Sequence, residues 1–182
     1  SGLFGEGRVV GAGGGGGPRP PQFAGLRFFN VYGPGEGHKG DMRSVVHKIY
    51  PAAAAGEDVT LFKSHDPRYE DGGQLRDFVH VGDCVEVVRW LLESPDVSGI
   101  FNVGTGEARS FADLAKAVFS ALGDEPRIAY VDMPESLQKA YQYFTQADVS
   151  KLRAAGFTRP FTSLEDGVAS YVNGHLKPRN AA

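Results

Sequence analysis

The sequence predicts an α/β fold, because short apolar runs typical of buried strands alternate along the chain with longer segments of helical periodicity. Glycines and capping residues mark the ends of most of the helical segments. This regular pattern begins near residue 25, and ten of the 25 glycines fall within the first 25 residues. We therefore predict a low-complexity, Gly/Pro-rich segment over residues 1–24 and a folded region over residues 25–182.

In the first half of the folded region, the pattern predicts three strands and two helices. Short apolar runs predict strands at 25–29, 60–62 and 76–81. A helix is predicted over 43–55, where apolar residues recur at helical spacing and a glycine follows. A second helix is predicted over 83–92, in which Val85, Val88 and Leu92 share one face.

The second half is predicted to contain two strands and three helices. The strands lie at 100–103 and 127–131. Each helix follows a serine or threonine whose hydroxyl can accept a hydrogen bond from the first turn. These capping residues are Ser110 for a helix over 111–122, Thr145 for a helix that reaches Ala155, and Ser163 for the last helix.

Composition excludes several classes of protein. The 182 residues are 41% hydrophobic and 23% charged, which is ordinary for a globular domain. No apolar window approaches the ~20 residues of a membrane span, and no signal peptide is visible. The net charge of −3 gives no reason to expect nucleic acid as a partner. The one cysteine, Cys84, cannot form an internal disulfide, so a cytoplasmic setting is expected. The five histidines lack ligand spacing, so no metal site is expected.

The glycine-rich start of the chain contains a G-x-G-x-x-G pattern at Gly11, Gly13 and Gly16. A dinucleotide-binding turn needs a strand before these glycines and a helix that opens from the third. Only two valines precede them, and the Gly-Pro-Arg-Pro-Pro run that follows cannot continue as a helix. We therefore reject a nucleotide-binding role for this segment.

Three segments of the folded region carry known motifs in the right order. They read RFFNVYGP at 27–34, RDFVHVGD at 76–83 and FNVGTG at 101–106. Together they resemble the extended short-chain dehydrogenases that act on nucleotide sugars, the NAD-dependent epimerase/dehydratase family. The resemblance implies that residues 25–182 form the last Rossmann strands and the α/β substrate-binding domain of that fold.

Two further segments resemble a narrower group within this family, the ADP-glycero-manno-heptose 6-epimerases. They read GEGHKGDM at 35–42 and YQYFTQAD at 141–148. This resemblance implies inversion of the C6″ centre of ADP-heptose through a transient carbonyl, with NADP, or NAD, as the hydride carrier. It also implies a role in supplying heptose for the lipopolysaccharide core of a Gram-negative bacterium, and a homo-oligomer in the intact enzyme.

The start of the chain departs from the pattern of this family. The family's amino-terminal Rossmann half and its catalytic Tyr-x-x-x-Lys pair have no counterpart, and Gly2 stands where the match would place the lysine. We therefore expect the chain, which starts at Ser1, to be a carboxyl-terminal fragment without epimerase activity. The strand at 25–29 would then lack neighbours, which predicts marginal stability or aggregation.

The resemblance places the reacting centre near the first loop. Lys39 is implied as the second acid/base and as a cofactor contact, although a solvated loop lysine is the alternative. Val31 is implied as a further cofactor contact. Asn30 is implied to hydrogen-bond the substrate. Asp41 stands in place of a family serine and Lys48 in place of a family histidine, both at implied substrate positions.

Further substrate contacts are implied along the chain. Arg76 is implied to hold the diphosphate, because a guanidinium can bind such a group bidentately. The alternative for Arg76 is an internal ion pair with Asp77 or Asp83. The remaining implied contacts are Phe62, Lys63, Ser64, His65 and Tyr141. For Phe62, a position in the core is an equal alternative. For Tyr141, the alternative is an aromatic side chain on the surface.

Two other functions stay open on the sequence. The chain could belong to another nucleotide-sugar epimerase or dehydratase of the same superfamily, or it could be a non-catalytic nucleotide-sugar-binding relic. The Gly104–Gly106 turn resembles a phosphate loop, but we predict only a strand-to-helix connection there. Cys84 is predicted to be a small buried hydrophobe on its helix.

Overall fold

The structure is a computed structural model that describes residues 21–138 and 141–177. Its strands are β1 (Ala24–Phe28), β2 (Asn30–Tyr32), β3 (Val59–Phe62), β4 (Leu75–His80), β5 (Gly99–Val103), β6 (Ala108–Ser110) and β7 (Ile128–Val131). Its helices are α1 (Val45–Ala54), α2 (Val81–Glu93), α3 (Phe111–Leu122), α4 (Glu135–Gln138), α5 (Ser150–Ala154) and α6 (Leu164–Tyr171). A 3-10 turn spans Gly37–Met42 and a π turn spans Val172–Leu176. The predicted α/β class is confirmed.

The strands form three small sheets in which parallel pairing dominates. β1 pairs in parallel with β5, and β3 pairs in parallel with β7. β4 lies between β2, which is parallel to it, and β6, which is antiparallel. Because only Phe29 separates β1 from β2, one extended run passes from the first sheet into the second. Asn30 and Val31 lie at that passage.

Two apolar cores hold these sheets and helices together. One lies among α1, α3, α6 and β3, and its most buried members include Val46, Leu114, Val118, Phe119, Val168 and Tyr171. The other lies among α2, α5 and β5, and includes Val79, Cys84, Val87, Leu91, Phe101, Leu152 and Phe157. The predicted burial of Cys84 is confirmed, and burial raises the pKa of its thiol to about 12.

Several predicted helix ends are confirmed by their hydrogen bonds. The Ser110 hydroxyl accepts from Asp113 N at 2.9 Å, and the Asp113 carboxylate accepts from Ser110 N at 3.2 Å, which makes a capping box at α3. The Ser163 hydroxyl accepts from Asp166 N at 3.1 Å at the start of α6. Gly56 ends α1 with a φ of +74°, a conformation that suits glycine.

The prediction that Thr145 caps a helix reaching Ala155 is wrong. Phe144 pairs with Leu75 in a parallel bridge, and Thr145 N donates to Leu75 O at 3.1 Å. This pairing keeps the chain extended there, so α5 begins only at Ser150. The contact joins residues about seventy positions apart in sequence, which a local capping pattern does not detect.

Helix α2 exposes the face that carries Val85, Val88 and Leu92. Val85, Val88 and Leu92 are 58%, 41% and 75% exposed, whereas Val87 and Leu91 are buried. The buried stripe is rotated by about 100° from the exposed one, because neighbouring residues differ by that angle around an α-helix.

The glycine pattern at Gly11–Gly16 and the match at Gly2 lie outside the described residues. The end of the predicted low-complexity segment is described, and Gln22 within it is bound to the folded part. Its side-chain amide donates to Leu91 O at 2.8 Å and to Ser94 O at 3.0 Å, at the end of α2.

Candidate nucleotide-sugar site

A cavity of about 340 Å³ opens between α1, β3 and the start of α3. Most of its wall is apolar, formed by Val45, Ile49, Leu61, Phe62 and Phe111. Its cation is Lys48, and Tyr141 closes one side. Three of the residues predicted as substrate contacts, Lys48, Phe62 and Tyr141, therefore meet at one cavity. A mostly apolar cavity with a few polar groups is typical of small-molecule sites.

Arg76 lies beside this cavity between two of the aromatic side chains that line it. The guanidinium carbon is 5.3 Å from the ring centre of Tyr141 and 5.8 Å from that of Phe111. One guanidinium nitrogen donates to Leu75 O at 2.8 Å. The side chain is half-buried, and burial lowers its pKa. Both rings lie within cation–π range of the guanidinium, and among the described residues only Leu75 O accepts a hydrogen bond from it, which leaves its other donors for a ligand.

The alternative interpretation of Arg76, an internal ion pair, is not what the structure shows. Among the described residues, no salt bridge includes Arg76. The Asp77 carboxylate accepts from backbone amides and a threonine hydroxyl, and the Asp83 carboxylate accepts from Thr162 N and Oγ1, each at 2.9 Å. A half-buried cation without a carboxylate partner favours an anionic ligand.

The aromatic contacts of Tyr141 continue along its own segment. Burial raises the pKa of Tyr141, so its hydroxyl stays protonated near neutral pH and can donate a hydrogen bond. Its ring centre lies 5.5 Å from that of Tyr143, whose hydroxyl contacts His65 Nδ1 at 2.7 Å. Tyr143 also accepts from His65 N at 2.9 Å. The loop after β3 is therefore fastened to the segment that carries Tyr141.

Lys63 and Ser64, which were predicted to contact substrate with His65, have partners within the protein. Lys63 Nζ lies 3.2 Å from an Asp132 carboxylate oxygen. Ser64 N donates to Asp71 Oδ1 and Ser64 Oγ donates to Asp66 O, both at 2.8 Å. None of the three residues of this loop lines the 340 Å³ cavity.

A second, more open cavity of about 780 Å³ lies at the end of β1. Asn30 contributes to its wall, together with Phe28, Asn102, Gln142, Phe144 and Gln146. The Asn30 amide makes only long contacts, at 3.4 Å to Asp77 O and 3.5 Å to Thr145 Oγ1. Val31 packs against the core around α2, and its N donates to Phe29 O at 3.0 Å. The structure thus separates Asn30 from the cavity that holds Lys48 and Tyr141.

Lys39 and Asp41 lie on the exposed 3-10 turn and line neither cavity. The turn is fixed at its base by Glu36, which is 4% exposed. The Glu36 carboxylate accepts from Ser44 N and Ser44 Oγ, each at 2.6 Å. The turn is therefore anchored at Glu36, while the side chains of Lys39 and Asp41 extend into solvent.

Three residues near the cavities were missed by the sequence interpretation. Gln74 is 1% exposed, lines the first cavity and donates through its amide to Phe62 O at 3.3 Å. Phe111 was predicted only as the start of a helix, although it lines the cavity and contacts Arg76. Asp77 is fully buried next to Arg76. The RDF motif contains Asp77, but nothing local in the sequence identifies the groups that it binds.

The Gly104–Gly106 turn connects β5 to the strand β6 and not directly to a helix, so the predicted strand-to-helix connection is wrong, although the turn is structural in its contacts. Thr105 N and Gly106 N both donate to the Asp77 carboxylate, at 2.7 Å and 2.9 Å. A Cβ at Gly104 would lie 2.6 Å from Ala147 Cβ, so only glycine fits there. These amides bind a carboxylate of the protein itself.

Within the described residues, no group of three or more His, Cys, Asp or Glu side chains is arranged to hold a metal ion.

Comparison with known proteins identifies the relatives of this chain. A sequence model described as the NAD dependent epimerase/dehydratase family matches residues 21–104. The ADP-L-glycero-D-manno-heptose-6-epimerase of Nitratidesulfovibrio vulgaris is 57% identical over 153 residues, which are 84% of this chain. Residues 21–104 are thus similar to the NAD dependent epimerase/dehydratase family. The enzyme of the same name from Fusobacterium nucleatum is 46% identical over 164 residues.

Two solved epimerase structures share the fold described above. The Helicobacter pylori ADP-L-glycero-D-manno-heptose-6-epimerase superimposes with a TM-score of 0.67 at 31% identity, over 83% of this chain and 43% of that one. The Thermus thermophilus UDP-glucose 4-epimerase, solved in complex with NAD, gives a TM-score of 0.65 at 31% identity, over 87% and 48%. The fold expected from the resemblance is therefore confirmed.

The chain spans about half the length of the curated relatives that it matches, 47% for the Nitratidesulfovibrio enzyme and 49% for the Fusobacterium enzyme. In the part of the chain that the structure describes, none of the helices combines the length and the apolar character needed to cross a bilayer.

The family's name implies a nicotinamide dinucleotide, and the described residues do not fit that whole group. Its pyrophosphate needs a glycine-rich turn that opens a helix. A G-x-G-x-x-G pattern does follow β2, from Gly35 to Gly40, but it enters a 3-10 turn that breaks at Gly40, with φ +53° and ψ −124°. Without a helix N-terminus there, residues 35–42 offer no pyrophosphate cradle.

Proposed function

We propose that this chain is the nucleotide-sugar-binding part of an ADP-glycero-manno-heptose 6-epimerase. The single observation that carries the proposal is Arg76, a half-buried guanidinium held between Phe111 and Tyr141 without a carboxylate partner among the described residues. An anion with fixed geometry, such as a nucleoside diphosphate, satisfies such a group through paired hydrogen bonds. The identities with named heptose epimerases support the choice of nucleotide sugar.

The residues of the first cavity divide the binding of an ADP-sugar between them. Arg76 binds the diphosphate, and Lys48 at the cavity wall adds a second positive charge. The apolar wall that includes Phe62 and Phe111 receives the adenine ring. The Tyr141 hydroxyl donates to the ligand between the cations, Arg76 and Lys48, and the apolar wall. Asn30 at the second cavity is assigned to a sugar hydroxyl.

The intact enzyme is proposed to invert C6″ of the heptose, for the lipopolysaccharide core, with Lys39 as the second acid/base. A bound NADP would take up and return the hydride. Val31 and Lys39 are assigned to contacts with that cofactor, and the intact enzyme is proposed to be a homo-oligomer. The reduced, buried Cys84 supports a cytoplasmic setting.

Calorimetric titration of the purified 182-residue chain with ADP-heptose, and separately with UDP-glucose, tests the proposal. We expect ADP-heptose to bind without added NADP and UDP-glucose to bind about tenfold more weakly, because a pyrimidine fills less of the apolar cavity. Tighter binding of UDP-glucose would favour another epimerase or dehydratase of the superfamily. Binding of neither would refute the proposed function.

The same preparation tests whether this chain alone turns over. With NADP and ADP-heptose added, we expect no change of configuration at C6″, because the described residues lack a site for the cofactor pyrophosphate. Chromatographic separation of the two heptose epimers measures this. Measurable conversion would show that the 182 residues hold a complete active site.

A further inference from the structure

Asp77 is a fully buried carboxylate that no acid/base or binding role has so far used. Its Oδ1 accepts from Thr105 N at 2.7 Å and from Thr105 Oγ1 at 2.8 Å. Its Oδ2 accepts from Gly106 N at 2.9 Å and from Ala147 N at 3.0 Å. These four bonds satisfy a carboxylate that would otherwise be expensive to bury.

The bond to Ala147 completes the attachment of one segment, residues 141–147, to the edge of β4. Leu75 N donates to Tyr143 O at 2.8 Å, and Thr145 N donates to Leu75 O at 3.1 Å. Two residues further along, Ala147 N binds the Asp77 side chain. The carboxylate thus extends the pairing past the point where backbone bonding ends.

Segment 141–147 separates the two cavities. Tyr141, at its start, lines the first cavity and covers the Arg76 guanidinium. Gln142, Phe144 and Gln146 line the second. Since adjacent residues of a strand point to opposite faces, Arg76 binds on one face of β4 while Asp77 anchors the segment from the other.

We propose that Asp77 is a positioning residue for the nucleotide site: by holding segment 141–147, it keeps Tyr141 over Arg76 and thereby fixes the guanidinium for the diphosphate. The inference rests on the proposed function. It assigns no contact between Asp77 and the ligand, because all four of its hydrogen bonds are made within the protein.

A double-mutant cycle tests the inference. Affinity for ADP is measured by calorimetry for the 182-residue chain, for Asp77→Asn, for Tyr141→Ala, and for both together. The asparagine amide presents donors to amides that need an acceptor, so Asp77→Asn should weaken ADP binding by about tenfold. With Tyr141 already removed, the same change should cost less than about twofold, because Asp77 acts through that ring.

Equal losses in the two backgrounds would overturn the inference, because a carboxylate that only stabilises the fold does not depend on Tyr141. Unchanged affinity in Asp77→Asn would overturn it as well. Failure of the unsubstituted chain to bind ADP would refute the proposed function itself, and this inference with it. Fluorescence of Trp90, which contacts Phe157 in the other core, reports whether each variant is folded.

If Asp77→Asn does not fold, Thr105 provides a milder cycle with Tyr141→Ala. Thr105→Val removes one of the four hydrogen bonds, and we expect it to weaken ADP binding by about threefold. Thr105→Ser keeps the hydroxyl and should restore near-normal affinity. Equal affinities for the valine and serine variants would contradict the positioning role.

Discussion

At the scale of single residues, the candidate site depends on where one cation is held. Arg76 is desolvated enough for burial to lower its pKa, yet a guanidinium stays charged at any physiological pH. The rings of Phe111 and Tyr141 stabilise that charge without neutralising it. The site therefore offers a preorganised positive group, which reduces the side-chain entropy that is lost when a ligand binds.

Arg76→Ala should weaken ADP binding by about ten- to a hundredfold, because hydrogen bonds to charged groups contribute about 1.5–3 kcal/mol each. Arg76→Lys should recover only part of this, since an ammonium cannot bind bidentately. Calorimetry measures both. Arg109, directly opposite Arg76 on β6 and paired with Asp113 and Glu165, is the matched control. If Arg109→Ala weakened binding as much as Arg76→Ala, the special role of Arg76 would be lost.

Sequence motifs predicted these positions unevenly. The family resemblance implied Lys48, Phe62 and Tyr141 as substrate contacts. The fold brings these three residues together at the first cavity, although they lie far apart in sequence. Lys39 and Asp41 come from a motif of the same kind, but their turn is exposed. Asp77 could not be found from sequence, since its partners lie 28 to 70 positions away and are mostly backbone amides.

At the scale of elements, local signals succeeded where a helix start is decided locally. The α3 capping box follows from Ser110 and Asp113, three residues apart. Thr145 carries an equally good local signal, yet pairing with β4 overrides it. Helix α2 shows a third case, because its cap is His80, a residue that the sequence does not suggest as a cap.

Lowering the pH should destabilise the protein through this cap. His80 Nδ1 accepts from Gly82 N at 3.2 Å, so it must be unprotonated. Burial lowers the pKa of His80 below its usual 6.5, despite the opposing charge of Asp83. Just below pH 6.5 the unfolded chain thus binds more protons than the folded one. The stability that the neutral His80 cap contributes is present above that pH. It is lost as the pH falls towards the pKa that His80 has in the folded protein.

Urea midpoints at about pH 7.5 and about pH 5.5 measure this loss. His80→Asn keeps a cap acceptor without the titration, so its midpoint should fall less between the two pH values. His38→Asn, on the exposed 3-10 turn, should respond to pH as the unsubstituted chain does. An unchanged pH response in His80→Asn would rule out His80 as the source.

At the scale of the whole molecule, apolar surface is exposed around β1 and α2. Within the described residues, β1 pairs only with β5, so its other edge is free. Phe28 at the end of β1 is 50% exposed, and the Val85, Val88 and Leu92 stripe of α2 adds further apolar surface. Parallel strands are normally covered on both faces. Marginal stability or self-association, expected from the sequence, stays a prediction.

Charging the exposed stripe should make the isolated chain more soluble. Leu92→Lys should lower its tendency to associate, as measured by light scattering, and leave ADP affinity unchanged, because Leu92 lines neither cavity. Val87→Lys, on the buried face of the same helix, should prevent folding. If Leu92→Lys associated as much as the unsubstituted chain, the surface responsible for self-association would lie elsewhere.

The central claim is that this chain holds a nucleoside diphosphate through Arg76 at the cavity of Lys48, Phe62 and Tyr141. A crystal structure of the 182-residue chain with ADP tests it most directly. We predict diphosphate oxygens about 3 Å from the Arg76 guanidinium nitrogens and the adenine inside that cavity. ADP bound elsewhere, with Arg76 still turned only towards Leu75 O, would contradict the account.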